Sequence, residues 1–178
     1  FDDINLGNIY NNLGISYYNQ NNYEKVIKYY ELALPIYKKH YELALPINIG
    51  DIYNNLGISY KNQKNNEKAI QYLELALPIF KKHFEQDNIN IGHIYNNLGT
   101  SYYNQNNNEK AIQYDELALP IFKKYFEPED INIGHIYYNL GFSYYNQKNN
   151  EKAIQYLELS LPILKKHKQT QTHNINYV

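Results

Sequence analysis

Apolar and polar positions along this chain follow a helical period, and the pattern itself recurs. In its third copy Ile94, Leu98 and Tyr102 stand four residues apart with Tyr95 and Gly99 beside them, one apolar stripe on a first helix. After the polar run Asn104-Gln105-Asn106-Asn107-Asn108 the pattern restarts through Ala111, Ile112, Asp115, Ala118, Leu119 and Phe122, which predicts a short turn and a second helix. The hairpin is written four times at offsets of 43, 42 and 42 residues, anchored by Leu13-Gly14 with Tyr17, Leu56-Gly57 with Tyr60, Leu98-Gly99 with Tyr102 and Leu140-Gly141 with Tyr144. A second anchor lies in Ala33-Leu34-Pro35-Ile36, Ala76-Leu77-Pro78-Ile79, Ala118-Leu119-Pro120-Ile121 and Ser160-Leu161-Pro162-Ile163. Self-similarity at a fixed period predicts stacked units that bury their apolar faces against one another.

Local signals agree with that division. Asn22, Asn65, Asn107 and Asn149 precede the second helices and are expected to cap them, because a short amide side chain can accept from orphan backbone N–H groups. Glu24, Glu67, Glu109 and Glu151 follow in the first turn, and Lys-Lys pairs such as Lys81-Lys82 close the last, each where the macrodipole favours its charge. Gly14, Gly57, Gly99 and Gly141 lie inside helices, which predicts a close crossing of the paired helix. Pro35, Pro78, Pro120 and Pro162 fall within the second helices; since Lys-Lys continues in register after each, a kink with continuation is expected. Tyr72, Leu75 and Ile79 beside Leu73, Ala76 and Phe80 predict a second helix covered on two sides.

These residues resemble the tetratricopeptide repeat family: Tyr10, Leu13, Gly14, Tyr17, Val26, Tyr30 and Ala33 match its signature, and the match continues in each later unit. The period near 42 and the Tyr-Asn-Asn-Leu-Gly core are similar to the longer kinesin-light-chain type. The resemblance implies an all-α, right-handed superhelical solenoid of four antiparallel helix hairpins, with repeats over 7–48, 50–90, 92–132 and 134–168. Residues 169–178 then form a tail or the start of a further repeat, and both termini look cut from a continuing array.

Composition narrows the function. The 17 basic residues are all lysine and are matched by 18 acidic ones dispersed through every repeat, so no basic stripe exists to neutralise phosphates and nucleic acid is not an expected partner. The longest apolar runs are about five residues, far below the roughly 20 a membrane span needs. Cysteine is absent, and with it any thiol metal site. No cofactor is expected, and no catalytic set stands apart from the repeat.

In such arrays the first helices line a concave groove. Carried over by position, its floor includes Asn11, Asn12 and Tyr18, then Asn54, Asn55 and Lys61, then His93, Asn96, Asn97 and Tyr103, then His135, Asn139 and Tyr145. The ladder Asn12, Asn55, Asn97 and Asn139 has two readings. A row of amides can bond the backbone of an extended peptide, or each can bond the neighbouring helix. His93 and His135, one repeat apart, are too few for a structural zinc site and are expected to be solvated groove residues. The reading is a non-catalytic, cytoplasmic scaffold for a protein or peptide ligand. Its alternatives are a structural array that self-associates end to end and a regulatory array of a larger protein.

Three features depart from the repeat. Asp115 takes the place of Tyr30, Leu73 and Leu157, and a solvated edge is the preferred expectation because a buried unpaired carboxylate is costly. The heptapeptide Tyr30-Glu31-Leu32-Ala33-Leu34-Pro35-Ile36 recurs as Tyr41-Glu42-Leu43-Ala44-Leu45-Pro46-Ile47, without a functional account. With no polar capping helix after the fourth unit, Tyr156, Leu159 and Ile163 are expected to form an exposed apolar strip.

Overall fold

In the computed structural model, residues 3–40 and 46–175 are described, with side chains as far as residue 168. Tyr41 to Leu45 of the second heptapeptide copy lie outside the described residues. The chain divides into two units, residues 1–86 and 87–178. The first holds α1 (Asp3–Asn19), α2 (Tyr23–Lys39), α3 (Pro46–Asn62) and α4 (Asn66–His83); the second holds α5 (Ile89–Asn104), α6 (Asn108–Tyr125), α7 (Ile131–Asn146) and α8 (Asn150–Ile175). Among the described residues every regular element is a helix, and the fold is an all-α helical repeat of the solenoid class.

Within each unit consecutive helices pair as hairpins, α1 with α2 and α3 with α4, then α5 with α6 and α7 with α8. The first helix of the second hairpin also packs on the second helix of the first, α3 on α2 and α7 on α6. Every hairpin turn has one geometry. A residue in left-handed backbone, Asn21, Lys64, Asn106 or Lys148 with φ between 55° and 62°, reverses the chain. The asparagine after it caps the next helix: Asn22, Asn65, Asn107 and Asn149 accept from the backbone N–H of Lys25, Lys68, Lys110 and Lys152 at 3.2 to 3.3 Å. The expected caps are therefore in place.

The internal glycines mark close crossings. A Cβ on Gly14 would stand 2.6 Å from Tyr30, one on Gly57 2.6 Å from Leu73 Cγ and one on Gly141 2.7 Å from Leu157 Cγ. All four prolines sit inside helices that run on to their lysine pairs. Each lies well past the first turn, so its ring removes the backbone bond to the carbonyl four residues earlier, at Glu31, Glu74, Glu116 and Glu158.

One expectation about the second helices is corrected. Leu73, Ala76 and Phe80 are buried, but Leu75 and its sister residues Leu32, Leu117 and Leu159 are 40–44% exposed. Each helix is covered over one broad face and leaves a leucine outside it. The expected strip on α8 is also misplaced. Tyr156 stacks on Tyr144 with ring centroids 5.7 Å apart, and Ile163 is buried against Gly134. Ile154 and Leu161, seven residues apart on the adjacent face, are 57% and 52% exposed.

Candidate functional site

Each first helix has two faces set by its sequence. Leu13, Gly14 and Tyr17, with their sister residues, turn toward the paired second helix, while the residues between them emerge on the opposite side. On α1 that side shows an exposed Asn12 with half-buried Asn11 and Tyr18; on α3 Asn54, Asn55 and Lys61 are all half-buried. In the second unit, α5 carries half-buried His93, Asn96 and Tyr103 with a buried Asn97, and α7 carries exposed His135 and Tyr145 with a half-buried Asn139. Tyr145, 61% exposed, is the most open aromatic among the described residues.

The asparagine ladder divides its capacity. Asn55 Nδ2 donates to Tyr30 Oη at 3.0 Å, and Asn139 Nδ2 donates to Thr100 Oγ1 at 3.4 Å. Each ties its helix to the preceding hairpin with one of two donors and keeps its remaining donor and acceptor for other partners. Asn8 accepts from Tyr37 Oη at 2.7 Å within its own hairpin. The Oδ1 atoms of Asn54 and Asn96 are shielded from solvent and have no hydrogen-bond partner among the described residues. Burial draws the Lys61 ammonium below its ordinary pKa and holds the Asp51 carboxyl above the usual range.

His93 is no solvated residue. It packs edge-on against Phe122 at 5.0 Å and Phe126 at 6.3 Å, and burial lowers its pKa. Among the described residues no group of three or more His, Asp or Glu is placed to hold a metal ion. Nor is any described helix long and apolar enough to cross a membrane.

Asp115 corrects its expectation outright. It is fully buried, both carboxylate oxygens lack a partner among the described residues, and its carboxyl presses on the open face of Gly99. The position is core in two other hairpins, where Tyr30 and Leu73 are also fully buried, while Leu157 on α8 is half-buried. Desolvation accordingly raises its pKa well above the carboxylate range.

Two recurring arrangements were not anticipated from the sequence. A lysine on the first turn of each second helix reaches back to the signature tyrosine of the first, Lys25 to Tyr17, Lys68 to Tyr60, Lys110 to Tyr102 and Lys152 to Tyr144, at 3.0 to 3.5 Å. The same tyrosine lies flat on a tyrosine of the second helix at 5.4 to 5.7 Å. Its hydroxyl then donates across the hairpin boundary, Tyr60 to Glu31 at 2.6 Å and Tyr144 to Glu116 at 2.7 Å. Burial and these carboxylates raise the phenol pKa of Tyr60 and Tyr144. The second arrangement is an ion pair between a lysine of α2, α6 or α8 and an acid at or just before the start of the paired first helix, Lys39 with Asp3 at 2.7 Å, Lys124 with Asp87 and Lys166 with Glu129. The spacing of Tyr17 and Lys25, constant in every unit, was the available signal for the first.

The hairpin geometry and its signature contacts define an all-α helical repeat. The tetratricopeptide repeat pattern matches residues 7–40, 48–124 and 90–166, and the chain belongs to the tetratricopeptide repeat family. Families of this kind are generally non-catalytic interaction scaffolds. The fold is similar to that of BtubC (BKLC) from P. vanneervenii, at 27% identity and a TM-score of 0.75, over 92% of this chain and 65% of that one. It is also similar to the apo form of RapI, at 20% identity and a TM-score of 0.75, over 97% and 61% of the two chains. A kinesin-light-chain-like protein of Podosopora anserina with nearly identical TPR-like repeats matches at 16% identity and a TM-score of 0.65, over 89% and 74%. This chain thus spans less than two-thirds of the first two proteins. No curated protein matches it by sequence.

Proposed function

We propose that this chain is a non-catalytic module that holds an extended peptide, or an extended segment of a partner protein, along the outward side of its first helices. The observation that carries this reading is the recurrence, within each unit, of partly exposed amides and tyrosines on that side. Asn12 and Asn55 on α1 and α3, with Tyr18, are repeated as Asn139, Tyr103 and Tyr145 on α5 and α7. Amides with spare donors and acceptors suit a peptide backbone, and tyrosines supply broad contact area at low entropic cost. Lys61 is the single lysine of the surface, so the preferred ligand is neutral, with aromatic or aliphatic anchors, and a terminal carboxylate is not what it is built to grip.

The test is selection from a phage-displayed library of unstructured peptides, followed by calorimetric titration of the recovered sequences against Asn12→Ala and Tyr145→Ser. Both side chains are exposed, so the thermal midpoint should hold while affinity falls roughly threefold to tenfold for each, the scale of one hydrogen bond or a modest aromatic contact. Recovered peptides whose affinity is indifferent to both substitutions would refute the placement of the ligand.

A further inference from the structure

Two of the signature tyrosines sit where an electron and a proton can leave together. This chain has 22 tyrosines and lacks cysteine, methionine and tryptophan, the side chains that otherwise take up oxidants, so an electron drawn from it comes most readily from a phenol. Tyr60 Oη donates to Glu31 Oε1 at 2.6 Å, and Tyr144 Oη donates to Glu116 Oε1 at 2.7 Å. These bonds tie α3 to α2 and α7 to α6, inside each unit, and both rings are only 6% exposed. A phenol that loses an electron becomes a strong acid, and a carboxylate already in hydrogen-bond contact is a positioned base for its proton.

The surroundings of the two rings favour that coupled route. Lys68 Nζ lies 4.8 Å from the centre of the Tyr60 ring and 3.2 Å from its hydroxyl, and Lys152 stands over Tyr144 at 4.6 and 3.0 Å. A cation so close opposes positive charge on the ring, so electron loss without proton loss is disfavoured. Burial, together with the carboxylate, raises the pKa of both phenols, which keeps the proton on the oxygen until the electron goes. On its other side each ring is stacked, Tyr60 on Tyr72 at 5.6 Å and Tyr144 on Tyr156 at 5.7 Å. The next rings, Tyr53 and Tyr137, lie 6.1 Å beyond and carry a lysine at 5.4 Å, Lys38 and Lys123, which opposes migration of the charge in that direction.

We propose that Tyr60 and Tyr144 are one-electron oxidation sites, each handing its phenol proton to Glu31 or Glu116 as its electron passes to a diffusible one-electron oxidant. The step balances within the pair. The phenol O–H bond breaks, an O–H bond forms on the carboxylate, the oxidant gains one electron, and a neutral tyrosyl radical remains beside a neutral carboxylic acid. An electron from a reductant, with return of the proton, restores the starting pair. The inference is independent of peptide binding, since both phenols turn toward second helices and away from the outward side of the first.

Stopped-flow mixing of the full chain with tris(bipyridine)ruthenium(III), an outer-sphere one-electron oxidant, reads the rate. A fast phase is expected, and it should slow in heavy water because a proton moves with the electron. The double variant Glu31→Gln, Glu116→Gln keeps an acceptor oxygen at each site but removes the base. Its thermal midpoint should hold, while the fast phase slows by about a hundredfold, the low end of what a positioned base contributes. Freeze-quenched wild type should give a tyrosyl signal by electron paramagnetic resonance. That signal should fall sharply in the double variant Tyr60→Phe, Tyr144→Phe and persist in Tyr125→Phe, Tyr145→Phe, which removes phenols 47% and 61% exposed. A rate indifferent to the glutamine pair or to heavy water overturns the proposal. So does a signal lost with Tyr125 and Tyr145 but kept without Tyr60 and Tyr144, which would mean that oxidation follows exposure alone.

Discussion

Asp115→Leu should stabilise the second unit, and the structure sets the size of the gain. The wild-type side chain is fully buried and neither oxygen has a partner among the described residues, a defect of about 1–3 kcal/mol for a neutral group and more once it ionises. Leucine fits the site because two sister sites already hold one: Leu73 Cγ and Leu157 Cγ sit over Gly57 and Gly141 at 2.6 and 2.7 Å from where a Cβ would be. Strain therefore subtracts little, and the net gain should be about 1–3 kcal/mol at neutral pH. The pH dependence has a definite sign. Burial raises the folded-state pKa above the ordinary 3.8, so the folded chain holds the proton more tightly than the unfolded one. The penalty from Asp115 is thus smallest below that ordinary value and grows as pH climbs from it toward the raised folded value. Urea unfolding at a series of pH values, with Asp115→Asn alongside, reads both parts. The difference between Asp115→Leu and wild type should widen with pH, and Asp115→Asn, which cannot ionise but is still polar, should recover only the pH-dependent part. Equal stability of wild type and Asp115→Leu at neutral pH, or a difference that does not change with pH, would refute the account of a buried, unpaired carboxyl.

Three further substitutions test the local geometry. Gly57→Ala should destabilise by about 1–3 kcal/mol in thermal or urea unfolding, because its Cβ would overlap Leu73 and approach the Ala69 carbonyl at 3.2 Å. Lys64→Gly should stabilise by about 0.5–1 kcal/mol, since at φ 62° the lysine occupies left-handed backbone that glycine adopts freely; the same change at Lys148 should give a similar gain in denaturation midpoint. Asn107→Ala should cost about 1 kcal/mol by removing the cap on the Lys110 N–H, a loss that Asn107→Asp should restore in the same assay.

Most of the architecture was legible because the repeat writes it four times. Helix limits, caps and glycine crossings depend on neighbours within one hairpin, so local spacing suffices to place them. What was not legible depends on which side of a helix meets another hairpin. Leu75 and Leu73 are two residues apart and equally apolar, yet Leu73 is buried over Gly57 while Leu75 is 43% exposed. Asp115 was misjudged for the same reason: polarity argued for an edge, while the register of the repeat, which put leucine or tyrosine at that position in every other unit, argued correctly for the interior. The asparagine ladder was seen, but its bonds to Tyr30 and Thr100 follow from the identity of residues 25 and 39 positions earlier, and no local pattern encodes them.

Those two bonds act as addresses. A chain of nearly interchangeable hairpins risks docking one on the wrong neighbour during folding, because α3 and α7 carry the same buried isoleucines, Ile49 and Ile52 on one and Ile133 and Ile136 on the other. Asn55 finds a phenol at position 30 and Asn139 finds a hydroxyl at Thr100, so the two boundaries share an apolar lock and differ in polar key. If α7 settled on α2, Asn139 would be offered Tyr30 while Asn55 lost its partner and Asp115 lost its cover. The errors that sequence identity permits are then discriminated by a few side chains, each worth a modest free-energy difference, and the order of the repeats along the array is written in those exceptions.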